Sequence, residues 1–542
     1  MRPTSFKLPL LLISLLAALA GPRLGAAPVI NSVSSNTNRV GRYAKLELTV
    51  DLTAVYTNAY NPDDVDLWGE FTAPAQHSFW RFWRKSPAPK VWRVNGFYDG
   101  AQWKLRFAPD ETGRWRYVVR ARDAGGTGVG APEVFTCVPS TNHGWIRSAP
   151  NHRYLVHDDG TSFYGVGACY PWGNTSAGLD QMRALGFNVY VYWNGTYDRP
   201  GGTNLIESLA SGLGRYDQQK CRRLDQLINM SEARGLGMIL VIWPHDYLSE
   251  KMRGWPSGWA KNPFQTLTPA GAFYGDTNAW AYQQKMYRYI IARWGYSPAL
   301  AAWQTVDEIS GTSGWRADRD AANAWAARMA GYFQTQDPFQ HPTTASHGDF
   351  WDPGNRANDW PNTEIYGNYS LTNIVSTIHK LWDTYEKPCI MGEVGLDRNA
   401  ELAHRKIWAG LASGISITPL LWSFNQGWAP GVSTQYAPFE KFIAGIDFAR
   451  LSNPAPAQVQ VPGASAYGIT SRQLTFGWLT GEFTGKNLQV TGLSDGAHRL
   501  EWWDCTTGDV LATHSVNIIN GSLSAPIPPT PRPDLAFKML PP

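Results

Sequence analysis

Between residues 140 and 450, short apolar runs alternate with segments of helical periodicity. Runs of this length, bounded by loops and followed by helices, are typical of buried parallel strands. Eight of them over about three hundred residues predict an α/β fold, specifically a (β/α)8 barrel. A doubly wound sheet is the alternative, but no glycine-rich dinucleotide or phosphate-binding motif follows any run. The runs lie near residues 162–169, 187–193, 237–243, 299–308, 342–347, 363–369, 388–394 and 415–424.

Helices are predicted in most gaps between these runs, as a barrel requires. Only the gap after the fifth run lacks a convincing helix. The predicted helices cover Leu179–Leu185, Gln218–Arg234, Ala279–Trp294, Asp320–Phe333, Thr372–Tyr385, Ala400–Ala412 and Pro438–Phe448.

The segments on either side of this region carry β-strand patterns. Residues 28–139 contain runs that alternate with period two, among them Lys45–Leu52 and Trp103–Phe107. Short alternating strands with frequent turns predict an N-terminal β-sandwich. Residues 451–463 are rich in proline and alanine and are predicted to be a linker. Strand-like runs return in residues 464–542, which we expect to form a C-terminal β-sandwich.

Residues 1–27 have the pattern of a secretory signal peptide. A basic start, Met1–Lys7, precedes an apolar stretch, Leu8–Ala20, and Gly25–Ala27 offers small residues for cleavage. No later stretch is a continuous apolar twenty-mer, so a membrane-spanning helix is not expected. We therefore expect a secreted or periplasmic mature chain without membrane insertion.

The charge balance argues against an anionic partner. The chain carries a net charge of +4, and loss of Arg2, Lys7 and Arg23 with the signal peptide leaves 45 basic against 44 acidic residues. Nucleic acids and anionic membrane surfaces are usually bound by clustered basic charge. Neither partner is expected for this chain.

The cysteines suggest neither a disulfide framework nor a zinc site. Their number is odd, they are spread along the chain, and they show no C-x-x-C or Cys/His metal spacing. Buried free thiols are the prediction. No metal site and no organic cofactor are expected. The cysteines are Cys137, Cys169, Cys221, Cys389 and Cys505.

Two glutamates stand at the ends of predicted strands. Glu308 ends the fourth run and Glu393 the seventh. In a (β/α)8 barrel, catalytic residues stand at the C-terminal ends of the strands. Glycoside hydrolysis requires a pair of carboxylic acids, one as proton donor and one as nucleophile or base. A structural carboxylate is the alternative for either residue alone, but two on these strands favour a catalytic pair.

This arrangement resembles the family-5-like retaining glycoside hydrolases of clan A. The resemblance implies that Glu308 is the general acid/base and that Glu393 is the nucleophile, which forms a glycosyl-enzyme. Arg114–Tyr117, after a Pro-Asp-Glu-Thr-Gly turn, resembles the uncharacterised sandwich domain that often precedes such barrels. Leu500–Gly508 and Arg532–Lys538 resemble the small collagen-binding-like sandwich that follows related barrels.

The same resemblance implies further site residues. His245, at the end of the third run, corresponds to a sugar-contacting histidine, although a structural histidine is an open alternative. Tyr369, or Tyr366 if the register differs, corresponds to the tyrosine that orients the nucleophile. Trp422 corresponds to the tryptophan that floors the sugar subsite.

Several aromatic residues are predicted to lie in loops after strands, where their flat apolar rings suit the faces of sugars. Core packing is the alternative for each of them. His347 and Asp349, after the fifth run, are further candidate substrate contacts. The aromatic residues are Tyr170, Trp172, Trp193, Trp243 and Trp428.

Two features depart from the family pattern. Asp307 stands where the clan usually has asparagine; it could still accept a hydrogen bond from the sugar's 2-hydroxyl, and it would raise the pKa of Glu308. The second run, Gly186–Trp193, lacks the arginine that family-5 enzymes place near the nucleophile. The resemblance is therefore to the clan rather than to family 5 itself.

The sequence thus predicts a secreted retaining β-glycoside hydrolase acting on a polysaccharide or oligosaccharide. Asp307 and the missing arginine leave open a catalytically inactive carbohydrate-binding protein on a barrel scaffold. An adhesion or scaffold protein would explain the flanking sandwiches but not the paired glutamates.

Overall fold

The structure, a computed structural model, describes residues 25–74, 90–194, 206–252, 254–366, 370–395, 399–424 and 427–541. Strands dominate both ends of the chain, and strands and helices alternate between them, so the expected α/β fold is confirmed. All five cysteines are buried and free, as predicted. Among the described helices, none combines the length and the apolar character needed to cross a bilayer.

Two sheets share one core in the N-terminal part. Their strands are β1 (Val29–Ser35), β2 (Arg39–Gly41), β3 (Leu46–Thr53), β4 (Asp66–Thr72), β5 (Val91–Asn95), β6 (Phe97–Tyr98), β7 (Trp103–Phe107), β8 (Gly113–Asp123), β9 (Gly126–Val129) and β10 (Glu133–Val138). The first sheet has the order β1-β3-β7-β6; the second has the order β2-β10-β8-β4-β5, with β9 paired to β8. Alternate residues of β3, Leu46, Leu48 and Val50, point into the common core. The period-two pattern of the sequence therefore supplies the apolar inner face.

Parallel strands form the middle part, after a small antiparallel sheet of β11 (Ile146–Ser148), β12 (Leu155–His157) and β13 (Ser162–Phe163). The parallel strands are β14 (Gly167–Cys169), β15 (Val189–Trp193), β16 (Gly237–Trp243), β17 (Leu300–Val306), β18 (Thr343–Thr344), β19 (Asn362–Ile365) and β20 (Ile390–Val394). The helices are α1 (Ser176–Ala184), α2 (Gln218–Glu232), α3 (Thr277–Trp294), α4 (Ser313–Ala317), α5 (Arg319–Gln336), α6 (Asp352–Ala357), α7 (Leu371–Tyr385), α8 (Ala400–Ser413) and α9 (Tyr436–Ile443).

The parallel strands pair in sequence order. β14 to β18 form one ladder, and β19 pairs with β20. Isolated parallel bridges join Thr344 to Trp360, Val394 to Leu421, and Leu421 to Ala168 in β14. The pairings therefore run from β14 through β20 to Leu421 and back to β14.

Most of the helices begin at a side chain that caps the first turn. A Ser, Thr, Asp or Asn side chain at this position accepts a hydrogen bond from an otherwise unpaired backbone N–H. Such caps fix where each helix starts after the preceding strand and loop. The capping residues are Thr175, Asp217, Asp276, Thr312, Asp318, Ser370 and Asn399.

Three elements of the middle part differ from the sequence predictions. The run 162–169 is divided, because a turn at Gly160 (φ 90°) ties residues 162–163 into the antiparallel sheet. The run 415–424 makes only isolated bridges, and Pro419 within it has no N–H to donate. The gap after the fifth run, where no helix was predicted, contains the six-residue helix α6.

Two further sheets share a core in the C-terminal part. Their strands are β21 (Ala455–Pro456), β22 (Gln458–Gln460), β23 (Ala464–Thr470), β24 (Thr475–Gly481), β25 (Asn487–Thr491), β26 (Gly496–Trp503), β27 (Val510–Ile518), β28 (Ser522–Pro526) and β29 (Asp534–Leu540). Their orders are β21-β23-β24-β29-β26-β27 and β22-β25-β28. β21 and β22 lie in the predicted linker 451–463; both are edge strands, where Pro456 is tolerated.

A buried ion-pair network joins the N-terminal sheets to the middle part. The Arg106 guanidinium on β7 lies 2.7 Å from the carboxylate of Asp225 on α2 and 2.8 Å from that of Glu47. It also donates to the backbone carbonyl of Arg293 on α3. Arg293 pairs with Asp225 at 2.5 Å. Burial acts to raise the pKa of Asp225, but its hydrogen bonds and the charges of the two arginines hold that pKa well below its ordinary value.

We expect Arg106→Met to lower the free energy of unfolding by about 2–4 kcal/mol at neutral pH, because it leaves buried carboxylates without one partner. Since the pKa of Asp225 is lowered on folding, this stabilisation is present above its unfolded pKa of about 3.9 and is lost as the pH falls toward the folded value. Urea unfolding at several pH values measures it. Arg122→Met is the control: it removes an exposed arginine 3.8 Å from Asp66, which keeps its ion pair with Arg288, and should change stability by less than about 1 kcal/mol. Equal losses in the two variants would contradict the prediction.

Candidate active site

Glu308 lies two residues beyond the end of β17. The N–H of Asp307 donates to the carbonyl of Trp243 on β16, and the N–H of Glu308 donates to the hydroxyl of Ser346 at 2.9 Å. Glu308 itself has a left-handed backbone conformation, with φ 41° and ψ 57°. Non-glycine residues in this region are uncommon, and they concentrate at functional sites. The turn projects a half-buried carboxyl group, 28% exposed, beyond the end of the strand.

Glu393 lies within β20, and a register irregularity places it opposite Glu364 of β19. Only 2% of Glu393 is exposed. The hydroxyl of Tyr366 donates a hydrogen bond to its Oε2. Gly395 makes this contact possible, because a Cβ at that position would lie 2.1 Å from the Tyr366 ring. A residue of β19's own loop thus orients the glutamate of β20.

Three buried carboxyl groups converge beside Glu308. One oxygen of each of Asp307, Glu364 and Glu393 lies within 4.8 Å of the others. Burial, followed by the charges of Asp307 and Glu308, raises the pKa of Glu393 well above its ordinary value; the Tyr366 hydroxyl and the Trp193 indole act in the opposite direction. Burial and the Asp307 charge also raise the pKa of Glu308, which His245 partly offsets. The cluster therefore retains protons at pH values where isolated carboxyl groups would be ionised.

His245 lies between Asp307 and Glu308, where it is almost completely buried. Its Nδ1 is 3.6 Å from Asp307 Oδ2, and its Nε2 is 3.6 Å from Glu308 Oε2. Burial alone would lower the pKa of His245, but Asp307, Glu308 and Asp246 raise it to about 9. At neutral pH the imidazole is thus a cation facing two carboxyl groups.

Tryptophan rings form a wall around this cluster. Trp193 contacts Trp422, with ring centroids 5.2 Å apart, and Trp172 contacts both at 5.7 and 5.5 Å. Trp255 packs against the same three rings. Trp193 also meets the His245 ring edge-to-face at 5.5 Å. The predicted contacts Trp193, Trp422 and His245 are therefore brought together with the glutamates.

Other predicted residues lie apart from this wall or outside the described residues. Tyr369 is one of the residues that the structure does not describe. The His347 ring packs between Trp315 and Trp351, with ring centroids 4.6 and 5.9 Å apart. Its neighbour Asp349 is exposed and accepts from the N–H of Phe350.

Three of the loop aromatics pack in the core instead of lining the wall. Trp243 is fully buried and donates to the hydroxyl of Tyr287. Tyr170 packs against Phe424, and Trp428 stacks on Tyr436. All three aromatic residues therefore pack in the core, which was the alternative expected from the sequence.

Sequence reasoning missed two members of the site. Glu364 was not singled out, although a carboxyl group inside a predicted buried strand is itself a signal, since buried charges need a reason. Trp255 lies in the long connection after β16, and only its aromatic character within a loop hinted at it. Its place in the wall depends on the folding of that connection.

The carboxyl cluster suits protons better than a metal ion. Tyr366 occupies one oxygen of Glu393, and Gln304 and Ser346 hold one oxygen of Asp307. At most four oxygens remain, so a bound Mg²⁺ or Ca²⁺ would need water to complete its coordination. The three groups include no imidazole or thiolate, which zinc sites favour.

Comparison with known proteins places this site in a familiar fold. Residues 39–122 match the family model of a domain of unknown function, DUF5060. No curated protein matches the chain. A presumptive glycoside hydrolase from Bacteroides vulgatus ATCC 8482 superposes with a TM-score of 0.64 and 17% identity, over 93% of this chain and 100% of that one. A glycoside hydrolase family 5 protein from the same organism gives a TM-score of 0.52 and 13% identity, over 74% and 93% of the two chains. At these identities the likeness is one of fold.

We expect Asp307→Asn to lower the pKa of His245 from about 9 toward its ordinary value of about 6.5, because the substitution removes a neighbouring anion. Carbon-13 NMR of labelled histidine measures this pKa. Asp349→Asn, which neutralises an exposed carboxylate, is the control and should leave the His245 titration in place. An unchanged titration in Asp307→Asn would show that the ion pair is not formed.

Proposed function

We propose that the protein is a retaining β-glycoside hydrolase in which Glu308 is the general acid/base and Glu393 the nucleophile. The observation that supports it best is the convergence of these two glutamates, from the ends of β17 and β20, inside a wall of tryptophan rings. Retaining hydrolysis needs two carboxyl groups about 5–5.5 Å apart with different protonation states. The fold likeness to glycoside hydrolases supports this proposal by analogy.

We further propose that the parallel segments close into a (β/α)8 barrel. The strands β14 to β20 supply seven members, and the segment around Leu421 supplies the eighth. The bridges from Leu421 to Val394 on one side and to Ala168 on the other support closure of the ring. Glu308 and Glu393 would then stand at the same rim, where barrel enzymes place their active sites.

The exposure and hydrogen bonds of the two carboxyl groups support the division of roles. Burial and the Asp307 charge raise the pKa of Glu308, which favours the protonated form that a donor to the leaving oxygen needs. The pKa of Glu393 is raised as well, so its assignment as nucleophile rests on its fixed orientation. Glu393 accepts the Tyr366 hydrogen bond, which orients its carboxylate for attack on the anomeric carbon. Departure of the leaving group forms a glycosyl-enzyme. Glu308, now ionised, then takes a proton from the water that hydrolyses it.

A non-catalytic carbohydrate-binding protein is the second candidate. Asp307 favours it, because it stands where related enzymes carry asparagine and adds a carboxyl group to an already crowded site. The tryptophan wall would serve sugar binding equally well. Turnover separates the two candidates, since only the first releases shorter sugars.

The test is a panel of plant, algal and microbial polysaccharides, with products followed by chromatography. Release of oligosaccharides or monosaccharides from one of them supports the hydrolase, and binding without release supports the second candidate. We also propose that the chain is exported to the periplasm or the medium. N-terminal sequencing of the secreted protein should find a start near residue 28.

We expect Glu393→Ala to lower turnover by roughly 10⁴-fold or more, because it removes the nucleophile. Added azide should restore cleavage and yield a glycosyl azide of inverted configuration, since the anion attacks from the face vacated by the carboxylate. NMR of the product gives the configuration. Glu401→Ala, an exposed glutamate on α8, is the control and should keep full activity. Activity near wild type in Glu393→Ala would remove Glu393 from the mechanism.

We expect Glu308→Ala to lower turnover by about 10²–10⁴-fold on substrates with poor leaving groups while sparing those with good ones, which depart without protonation. Azide should then give product of retained configuration, because it intercepts the glycosyl-enzyme in place of activated water. Rates on a series of aryl glycosides measure the dependence on the leaving group. Swapped azide products in the two variants would reverse the assigned roles.

A further inference from the structure

Glu364 is a third glutamate of the site, and the proposed mechanism does not use it. It lies on β19, directly opposite Glu393 in the β19–β20 register, and is 1% exposed. Neither of its carboxyl oxygens has a hydrogen-bond partner within 3.5 Å among the described residues. At longer range the Ser346 hydroxyl acts to lower the pKa of Glu364, and Glu364 acts to lower that of Glu308. An unpaired carboxyl group in a protein interior is costly, especially when it is ionised. Its position therefore calls for a partner within the site.

The groups around Glu364 restrict its charge. The charges that act on it most strongly belong to Asp307, Glu393 and Glu308, all carboxyl groups. His245, the cation of the cluster, faces Asp307 and Glu308 instead. Burial and these three carboxyl groups raise the pKa of Glu364 well above its ordinary value. The titratable and polar groups that face Glu364 from the packed elements are Cys169, Asp307, Glu308, Ser346, Tyr366 and Glu393.

Glu393 offers the acceptor that a protonated Glu364 needs. Its Oε2 accepts from Tyr366, whereas its Oε1 has no partner among the described side chains. The two carboxyl groups belong to the trio whose oxygens lie within 4.8 Å of one another. A hydrogen bond from a protonated Glu364 to the Glu393 carboxylate would be of the charge-assisted O–H···O⁻ type.

We propose that Glu364 is a positioning residue that remains protonated in the working enzyme and donates a hydrogen bond to Glu393, so that the negative charge of this pair stays on the nucleophile. The inference rests on the proposed function, since it assigns Glu364 a role relative to the nucleophile.

The pH profile of turnover separates a neutral Glu364 from an ionised one. If Glu364 is neutral, Glu364→Gln retains the shape of the side chain and a hydrogen-bond donor. The acidic limb of the profile then stays in place, and kcat/KM stays within about threefold of the wild-type value. If Glu364 is ionised, the same variant removes a neighbouring anion, the pKa of Glu393 falls, and the limb moves to lower pH by about one unit or more. The second result overturns the proposal.

Glu364→Leu tests the hydrogen bond. Loss of the donor destabilises the ionised form of Glu393, so its pKa rises and the acidic limb moves to higher pH, with a lower kcat. If Glu364→Leu only lowers the stability of the protein and the acidic limb of the pH profile does not move, Glu364 has a structural role and the proposal is overturned. Activity that is lost to a chelator and restored by Ca²⁺ or Mg²⁺ would also overturn it.

Carbon-13 NMR of glutamate carboxyl groups tests the protonation state without any substrate. The resonance that disappears in Glu364→Gln should have the position of a neutral acid at pH 7; the position of a carboxylate overturns the inference. Glu364→Met identifies the same resonance if the Gln variant does not fold. Glu207→Gln is the matched control, because Glu207 is also buried and its pKa is raised to about 8; it should remove a different neutral resonance. If Glu364 is neutral but the protein cleaves no glycoside, the proposed function is wrong while the protonation state inferred for Glu364 stands.

Discussion

Repulsion among buried carboxyl groups is the constraint on which the site depends. Two unit charges 4.8 Å apart repel by about 3 kcal/mol at an effective dielectric constant of about 20. Full ionisation of Asp307, Glu364 and Glu393 would involve three such pairs, a sum comparable with the roughly 5–15 kcal/mol that stabilises a typical domain. His245 supplies one compensating cation. The folded protein at neutral pH must therefore keep protons in the cluster, and their distribution decides what chemistry the site can perform.

The backbone creates this crowding through two local departures from regular structure. The register irregularity between β19 and β20 brings Glu393 opposite Glu364. Glu308, just beyond β17, has a left-handed backbone conformation. Each costs energy that an ordinary strand end would not. Their coincidence at the two glutamates indicates that the site, rather than the stability of the sheet, determines the local geometry.

The sequence predicted those parts of the fold that depend on periodicity. Alternation in β3 and the apolar runs of β16 and β17 predicted strands, because the pattern of apolar and polar side chains indicates which faces of a strand are buried. It also located Glu308 and Glu393, since a charge that ends an apolar run is conspicuous. The division of the run 162–169 was not predictable in the same way, because a turn outside the run redirects its first residues.

Register decided the rest of the site. Tyr366 and Tyr369 are both compatible with the sixth run, and the pairing of β19 with β20 places the hydroxyl of Tyr366 on Glu393. Glu364 was not predicted as a site residue for a related reason: the face on which its side chain lies depends on the same strand pairing. The pairing of neighbouring strands thus brings together side chains whose contact neither strand's sequence predicts.

Unequal exposure of the two glutamates gives the site its asymmetry. Glu308, partly exposed and next to a histidine cation, can exchange its proton with water. Glu393, buried and held by Tyr366, exchanges less readily. A proton donor must be recharged in every catalytic cycle, whereas a nucleophile must keep one orientation. Two side chains of the same type can thus take different roles, because one meets solvent and the other meets only protein.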